Sequence, residues 1–215
     1  MDRRTFIAAI TGIAGCTSGK QSYGEYRCES STVEKVTKLP QPAYGPQTAP
    51  NSIIIFEDFA CPHCRAFHLN VLPKLKENAV SDSTPPYSFR HFDAPIPVSK
   101  WSRRVANAAR YVQDTAFPPS KSYFEFAKAA FKSQAEYSWD TLATIATEKD
   151  FIESPCNMFN AIENNKYKPI IDRNRSLAFE NIGFEGTPAV VVNNKPIENP
   201  TFDKITDALA PISVE

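Results

Sequence analysis

The chain has 215 residues, 42% of them hydrophobic and 22% charged, close to globular averages. That excludes a wholly disordered chain and fits one domain, or one domain carrying an insertion. Lysine plus arginine balances aspartate plus glutamate, 24 against 24, so no global field points to nucleic acid or to an acidic polymer as partner.

The first segment reads as an address. Arg3-Arg4-Thr5-Phe6-Ile7 has the twin-arginine pattern, a receptor-read export signal. The apolar run Ile7–Ala14 that follows is too short to span a bilayer and long enough for a signal peptide. It ends in Ile13-Ala14-Gly15-Cys16, which resembles a lipobox, where the cysteine is lipidated and becomes the mature N-terminus. The expectation is a signal peptide over residues 1–16, export, and a lipid on Cys16. Acyl chains there would hold the protein to the outer face of the cytoplasmic membrane, each buried CH₂ contributing roughly 0.8 kcal/mol. The competing reading is a chance Arg-Arg beside a hydrophobic start. No stretch of about 18 apolar residues occurs, so no ordinary spanning helix is expected.

Residues 17–50, with Pro40, Pro42, Pro46 and Pro50, read as a semi-extended tether. Tyr23, Tyr26, Val33 and Val36 are unusual for pure linker and leave room for part of it to pack on the domain. Ser52-Ile53-Ile54-Ile55-Phe56 predicts a strand buried on both faces. Pro62 suits a first helical position, and Ala66, Leu69, Val71, Leu72 and Leu75 supply an apolar face until Pro73 kinks or breaks the helix. After a turn cluster over 81–86, Tyr87 to Phe92 predicts a second strand.

From about 99 to 181 the pattern is mainly helical. Ser99 is placed to cap a helix through Val112, and Pro118-Pro119 breaks the pattern. Further helices are predicted at Ser122–Phe131, Trp139–Thr147, Pro155–Asn164 and Lys168–Ile182. Phe124, Phe126, Phe131 and Trp139 are read as core. Ala189–Val192 is a strand, Asn193-Asn194 a hairpin turn, Lys195-Pro196-Ile197 a short edge strand, and Thr201–Leu209 a closing helix. The order is a βαβ half and a ββα half, with helices inserted between them.

Five cysteines stand at 16, 28, 61, 64 and 156. Setting Cys16 aside leaves an even number. Cys61-Pro62-His63-Cys64 sits at a predicted helix start, where free N–H groups and the helix dipole favour negative charge. A thiolate on Cys61 would be stabilised there, with its pKa below the free value of roughly 8.5. A positive His63 imidazole beside the sulfur would add to this. A stabilised thiolate favours the reduced form and makes the disulfide a stronger oxidant. Two other readings stay open at this point: a structural disulfide, and a metal site built from Cys61, Cys64 and His68.

Far along the chain, Gly186-Thr187-Pro188-Ala189 immediately precedes the Val190–Val192 strand. Together with Phe56-Glu57-Asp58-Phe59-Ala60-Cys61-Pro62-His63-Cys64, this segment resembles the DsbA family of thioredoxin-fold proteins over about residues 51–210. The resemblance implies an α/β thioredoxin-like fold, from 51–98 and 182–212, with an inserted α-helical domain at 99–181. It implies Cys61 as exposed nucleophile, Cys64 as buried resolving thiol, and Pro62 and His63 as setting the redox potential. Pro188 would be cis and face the sulfurs, leaving the Thr187 backbone free to pair with an extended substrate. No cofactor is implied. The expected partners are reduced exported polypeptides and a membrane quinone-linked oxidase of the DsbB or vitamin K epoxide reductase type. Rival readings are a reductase or isomerase of the same fold, a metal-binding lipoprotein, and a redox-inert binding module.

One departure stands out. Many relatives carry a buried acid six residues before the first active cysteine, and here that position is Ile55. Glu57 or Asp58 could substitute, although a solvated strand end is the commoner role for such a pair. Cys28 and Cys156 are the remaining intramolecular pairing, with free buried thiols as the alternative. His91 reads as a strand residue with a satisfied hydrogen bond.

Overall fold

The computed structural model describes residues 19–46, 48–79, 87–96 and 98–209. The twin-arginine pattern, the lipobox and Cys16 lie outside the described residues. The elements run β1 (Lys20–Tyr23), β2 (Tyr26–Glu29), β3 (Ala43–Tyr44), β4 (Asn51–Glu57), α1 (Pro62–Asn70), α2 (Leu72–Asn78) and β5 (Tyr87–Asp93). Then come α3 (Lys100–Thr115), α4 (Pro119–Lys132), α5 (Trp139–Glu148), α6 (Pro155–Glu163), α7 (Lys168–Ser176), β6 (Ala189–Val192), β7 (Lys195–Ile197) and α8 (Phe202–Asp207). Among the described residues no helix is long and apolar enough to cross a membrane.

A five-stranded sheet in the order β3-β5-β4-β6-β7 forms the centre. β4 and β5 are parallel, with Ile53 opposite Phe89 and Glu57 opposite Asp93. β6 runs antiparallel to β4, bringing Ala189 opposite Phe56. The unbroken apolar run of β4 forms a central strand because both of its faces are covered. Ile53 and Ile55 point into the larger core beneath the helical block, and Phe56 packs on the other face with Phe92, Ala178 and Val191. Asn193 and Asn194 both take positive φ, 48° and 66°, the geometry of a two-residue hairpin turn. Pro196 falls on the outermost strand, where its missing N–H costs no ladder bond.

The helical insertion forms much as its pattern predicts. The Ser99 hydroxyl accepts from the Trp101 N–H at the start of α3. Pro73 stands in the first turn of α2, and the break falls at Val71. The predicted helix Lys168–Ile182 instead changes to a π turn over Leu177–Asn181. There the chain leaves the block and lays Leu177, Phe179 and Ile182 against the smaller core.

The described part of 17–50 departs from the expected tether. β1 and β2 form an antiparallel hairpin, and its Tyr23 ring is 4.7 Å from Trp139 and 5.0 Å from Phe159. Gly24 takes φ +58°, and a Cβ there would meet the Asp140 carboxyl 2.2 Å away. The Val36 N–H donates to the Lys166 carbonyl at 2.9 Å, and β3 then adds to the edge of β5. Tyr23, Tyr26, Val36 and Leu39 of this proline-rich stretch pack in or against the main core. Cys28 and Cys156 are joined by a disulfide across a sequence separation of 128, tying this hairpin to α6.

Candidate functional site

The site forms where β4 ends, α1 begins and the segment before β6 returns. Cys61 is the N-cap of α1 in extended backbone, without a side-chain capping bond. Pro62 follows as the first helical residue, and Cys64 lies one turn along. Both are free thiols and both are buried. The Cys61 Sγ donates to the Thr187 carbonyl at 3.3 Å, and the Thr187–Pro188 peptide is cis. The Asp58 N–H donates to the Cys64 Sγ at 3.3 Å. Two segments 126 residues apart in the chain thus meet at one sulfur.

The two thiols are driven in opposite directions. Cys61 is pulled down to about 5, above all by a hydrogen bond from the Cys64 thiol; burial opposes this, and the Cys64 and His63 N–H groups assist. Cys64 is pushed far up by burial, by its bond to Cys61 and by the nearby Glu57 and Cys61 charges. One thiolate at a helix start beside one stubborn thiol is the polarity an exchange reaction uses.

Glu57 and Asp58 are 0% and 1% exposed, which overturns the solvated strand end. Asp58 Oδ1 accepts the Ala60 N–H at 2.7 Å and Oδ2 the Ile96 N–H at 2.8 Å; burial raises its pKa to about 6 despite these bonds. Glu57 Oε2 lies 2.8 Å from His68 Nδ1 and 2.7 Å from His91 Nε2. Burial pushes its carboxyl up, but the two histidines outweigh that and hold it below the ordinary range. His91 Nδ1 lies 2.7 Å from the Tyr123 hydroxyl, which donates onward to Asp93, which in turn accepts from Arg110.

The helical insertion grips the active loop through residues that the sequence pattern does not single out. Gln134 Nε2 donates to the Phe59 and Cys61 carbonyls at 2.8 and 2.9 Å, and the Tyr137 hydroxyl donates to the Phe59 carbonyl at 3.1 Å. Only their position in a connection just after a helix end, where side chains meet loops, distinguishes them in the sequence. The His63 side chain is exposed. It lines an open groove of about 1030 Å³ with Phe67, Phe184, Thr187, Pro188 and Ile197. Its backbone N–H helps to hold the Cys61 thiolate. The metal set Cys61, Cys64 and His68 is not assembled as such. Among the described residues the one metal-type grouping is Glu57, His68 and His91, and its 2.7–2.8 Å spacings are those of hydrogen bonds.

Comparison with known proteins agrees with this geometry. Residues 37–210 match the family model described as Thioredoxin. Disulfide bond formation protein D of Bacillus subtilis strain 168 is 24% identical over 175 residues, covering 79% of this chain and 75% of that protein. The crystal structure of oxidised BdbD from Bacillus subtilis superposes with a TM-score of 0.67 at 21% identity, over 83% of this chain and 96% of that one. Chlamydia trachomatis DsbA gives a TM-score of 0.66 at 24% identity, over 81% and 92%. The chain belongs to the thioredoxin family and is a DsbA-like thiol–disulfide oxidoreductase.

Proposed function

We propose that this protein oxidises dithiols of exported polypeptides by donating a Cys61–Cys64 disulfide. A substrate thiolate attacks Cys61 and displaces Cys64; the substrate's second thiolate then attacks the substrate sulfur of the mixed disulfide and releases Cys61. The observation that carries this reading is the opposite pull on the two thiols, Cys61 down to about 5 and Cys64 far up. Stabilising Cys61 as a thiolate stabilises the reduced protein, so electrons flow from substrate to enzyme. The name of the Bacillus subtilis relative, a disulfide bond formation protein, supports the same direction. The groove bordered by His63, Phe184 and Pro188 offers an extended, partly apolar chain a place beside Cys61. The twin-arginine pattern and the cysteine at position 16 support an exported, lipid-anchored enzyme, reoxidised by a quinone-linked thiol oxidase in the same membrane.

Equilibration with glutathione tests the direction. The oxidase reading expects a potential nearer about −120 mV than about −270 mV, and a value at the lower end makes the enzyme a reductase. In the same protein Cys64→Ala is expected to accumulate client proteins covalently bound at Cys61, seen as reducible high-mass bands on gels. Absence of such adducts, with Cys61 still alkylatable, would rule out Cys61 as the sulfur that forms the mixed disulfide.

A further inference from the structure

The turn that carries Cys61 satisfies most of its own peptide groups. The Cys61 N–H donates to the Asp58 carbonyl at 3.1 Å, and Asp58 Oδ1 accepts the Ala60 N–H. The Cys61 carbonyl opens the α1 ladder by accepting the Arg65 N–H at 3.1 Å. The Phe59 carbonyl is different. Phe59 is fully buried, and a buried carbonyl needs a partner. Among the described residues its partners are two side chains of the helical insertion, Gln134 and Tyr137.

The Gln134 amide nitrogen has two hydrogens, and both are used here. It stands 2.8 Å from the Phe59 carbonyl and 2.9 Å from the Cys61 carbonyl. Both neighbours are acceptors, so the nitrogen and not the amide oxygen must face them. One side chain thus joins the carbonyls on either side of Ala60. The segment that carries it is itself docked on the site. The Phe131 ring stacks on Phe59 with centroids 4.9 Å apart, and the Phe131 carbonyl accepts from Arg65 Nε of α1 at 3.0 Å. Gln134 follows in a short 3₁₀ turn just after α4. Where the Cys61 sulfur lies depends on these carbonyls. Cys61 is the N-cap, with φ −81° and ψ 122° and no side-chain capping bond. Rotating the turn would swing its Cβ away from the first N–H groups of α1 and from the Thr187 carbonyl, 3.3 Å from the sulfur. The pull of a helix end fades beyond its first turn, so a small displacement matters.

We propose that Gln134 is a positioning residue for the exchange reaction: by holding the Phe59 and Cys61 carbonyls together it keeps the Cys61 sulfur at the N-terminus of α1, so that the helical insertion helps to set the oxidising strength of the Cys61–Cys64 pair. The inference rests on exchange at that pair and applies to either direction of it. Gln134 carries no charge and moves no proton; its effect runs through geometry. The ionisable groups coupled to Cys61 are Cys64 and Asp58, and changes at position 134 leave both in place. A purely structural Gln134 would alter unfolding and leave the ionisation of Cys61 where it is.

Gln134→Met in the full-length protein keeps the length of the side chain and removes both donors. The Cys61 thiolate titration, read by absorbance in the reduced protein, is expected to move up by about one pH unit, and the equilibrium with glutathione to shift roughly tenfold, about 30 mV, toward a weaker oxidant. Gln134→Asn still carries an amide and is expected to recover part of both shifts. The unaltered protein tests the site itself: an ordinary Cys61 midpoint there overturns the oxidase reading and this one together. A low midpoint that a folded Gln134→Met protein leaves unmoved, with the glutathione equilibrium also unaltered, overturns this one alone, even where urea unfolds the variant earlier. Hydrogen exchange of the side-chain amide, followed by nitrogen-15 NMR of the unaltered protein, decides without any variant. Gln134 hydrogens protected relative to those of an exposed glutamine support the proposal; hydrogens exchanging at the free rate overturn it.

Discussion

Cys61 and Cys64 stand one helical turn apart, and that turn separates a thiolate-former from a thiol-keeper. The Cys61 pKa of about 5 lies below the value of roughly 8.5 expected in the unfolded chain. Its contribution to the stability of the reduced protein is therefore present above the unfolded value and is lost as pH falls through about 5. The oxidised protein has no such thiolate. The reduced protein is thus expected to melt increasingly above the oxidised one as pH rises from 5 to 8, and calorimetry of both forms checks this. Asp58 acts with the opposite sign: its carboxyl is raised to about 6, so ionisation costs stability as pH rises through that value. Burial, the main cause, is common to both redox states, while the Cys61 charge adds to the Asp58 shift only in the reduced protein, so the difference between them reads Cys61 together with its coupling to Asp58. An unchanging gap between the two melting curves would contradict the low Cys61 pKa.

At the scale of elements, the hairpin β1–β2 is held by the Cys28–Cys156 disulfide, by Tyr23 between Trp139 and Phe159, and by an Asn160 side-chain bond to the Glu29 carbonyl at 3.0 Å. Closing a loop of this length stabilises by about 4–5 kcal/mol in the chain-entropy account. The double variant Cys28→Ser, Cys156→Ser is expected to lose about 2–5 kcal/mol in urea unfolding while exchange at Cys61 continues, because the active loop is gripped by Gln134 and Tyr137 instead. Much of this level was legible in the sequence. The apolar run of β4, the Pro62 helix start and the Asn-Asn turn follow local rules of propensity and turn chemistry, whereas the Gly-Thr-Pro segment and its meeting with Cys61 were legible through the family resemblance. The hairpin was not legible, because Tyr23 and Tyr26 gain their value from aromatic partners more than a hundred residues away. The burial of Glu57 and Asp58 was hidden for the same reason. A carboxylate is tolerated inside only with partners, and these are His68, His91 and the Ile96 N–H, none of them marked by spacing from residue 57.

Across the whole molecule, Arg110 is the polar junction. It is 0% exposed and joins α3 to β5 through Asp93, to Gln113, and to Gln41 of the N-terminal arm at 2.6 Å. Gln41 in turn donates to Asn174 of α7 at 2.8 Å. Removing one member of such a pair leaves a buried charge without its counterpart, at a cost of about 3–5 kcal/mol. Arg110→Met is expected to lower unfolding stability by that amount, and adding Asp93→Asn is expected to restore part of it; strictly additive losses in the double variant would mean the two groups do not act as a pair. Sheet, helical block and arm are therefore expected to unfold together, although they came from segments that the sequence pattern divides.

The hairpin at Lys20–Tyr23 also shortens the leash. If an acyl group sits on Cys16, only four peptide steps connect it to the folded body, a reach of at most about 14 Å. An arm of 34 free residues would let an enzyme so anchored roam far from a bilayer; with a lipid on Cys16, this arm would hold it close to the headgroups and to any partner embedded there.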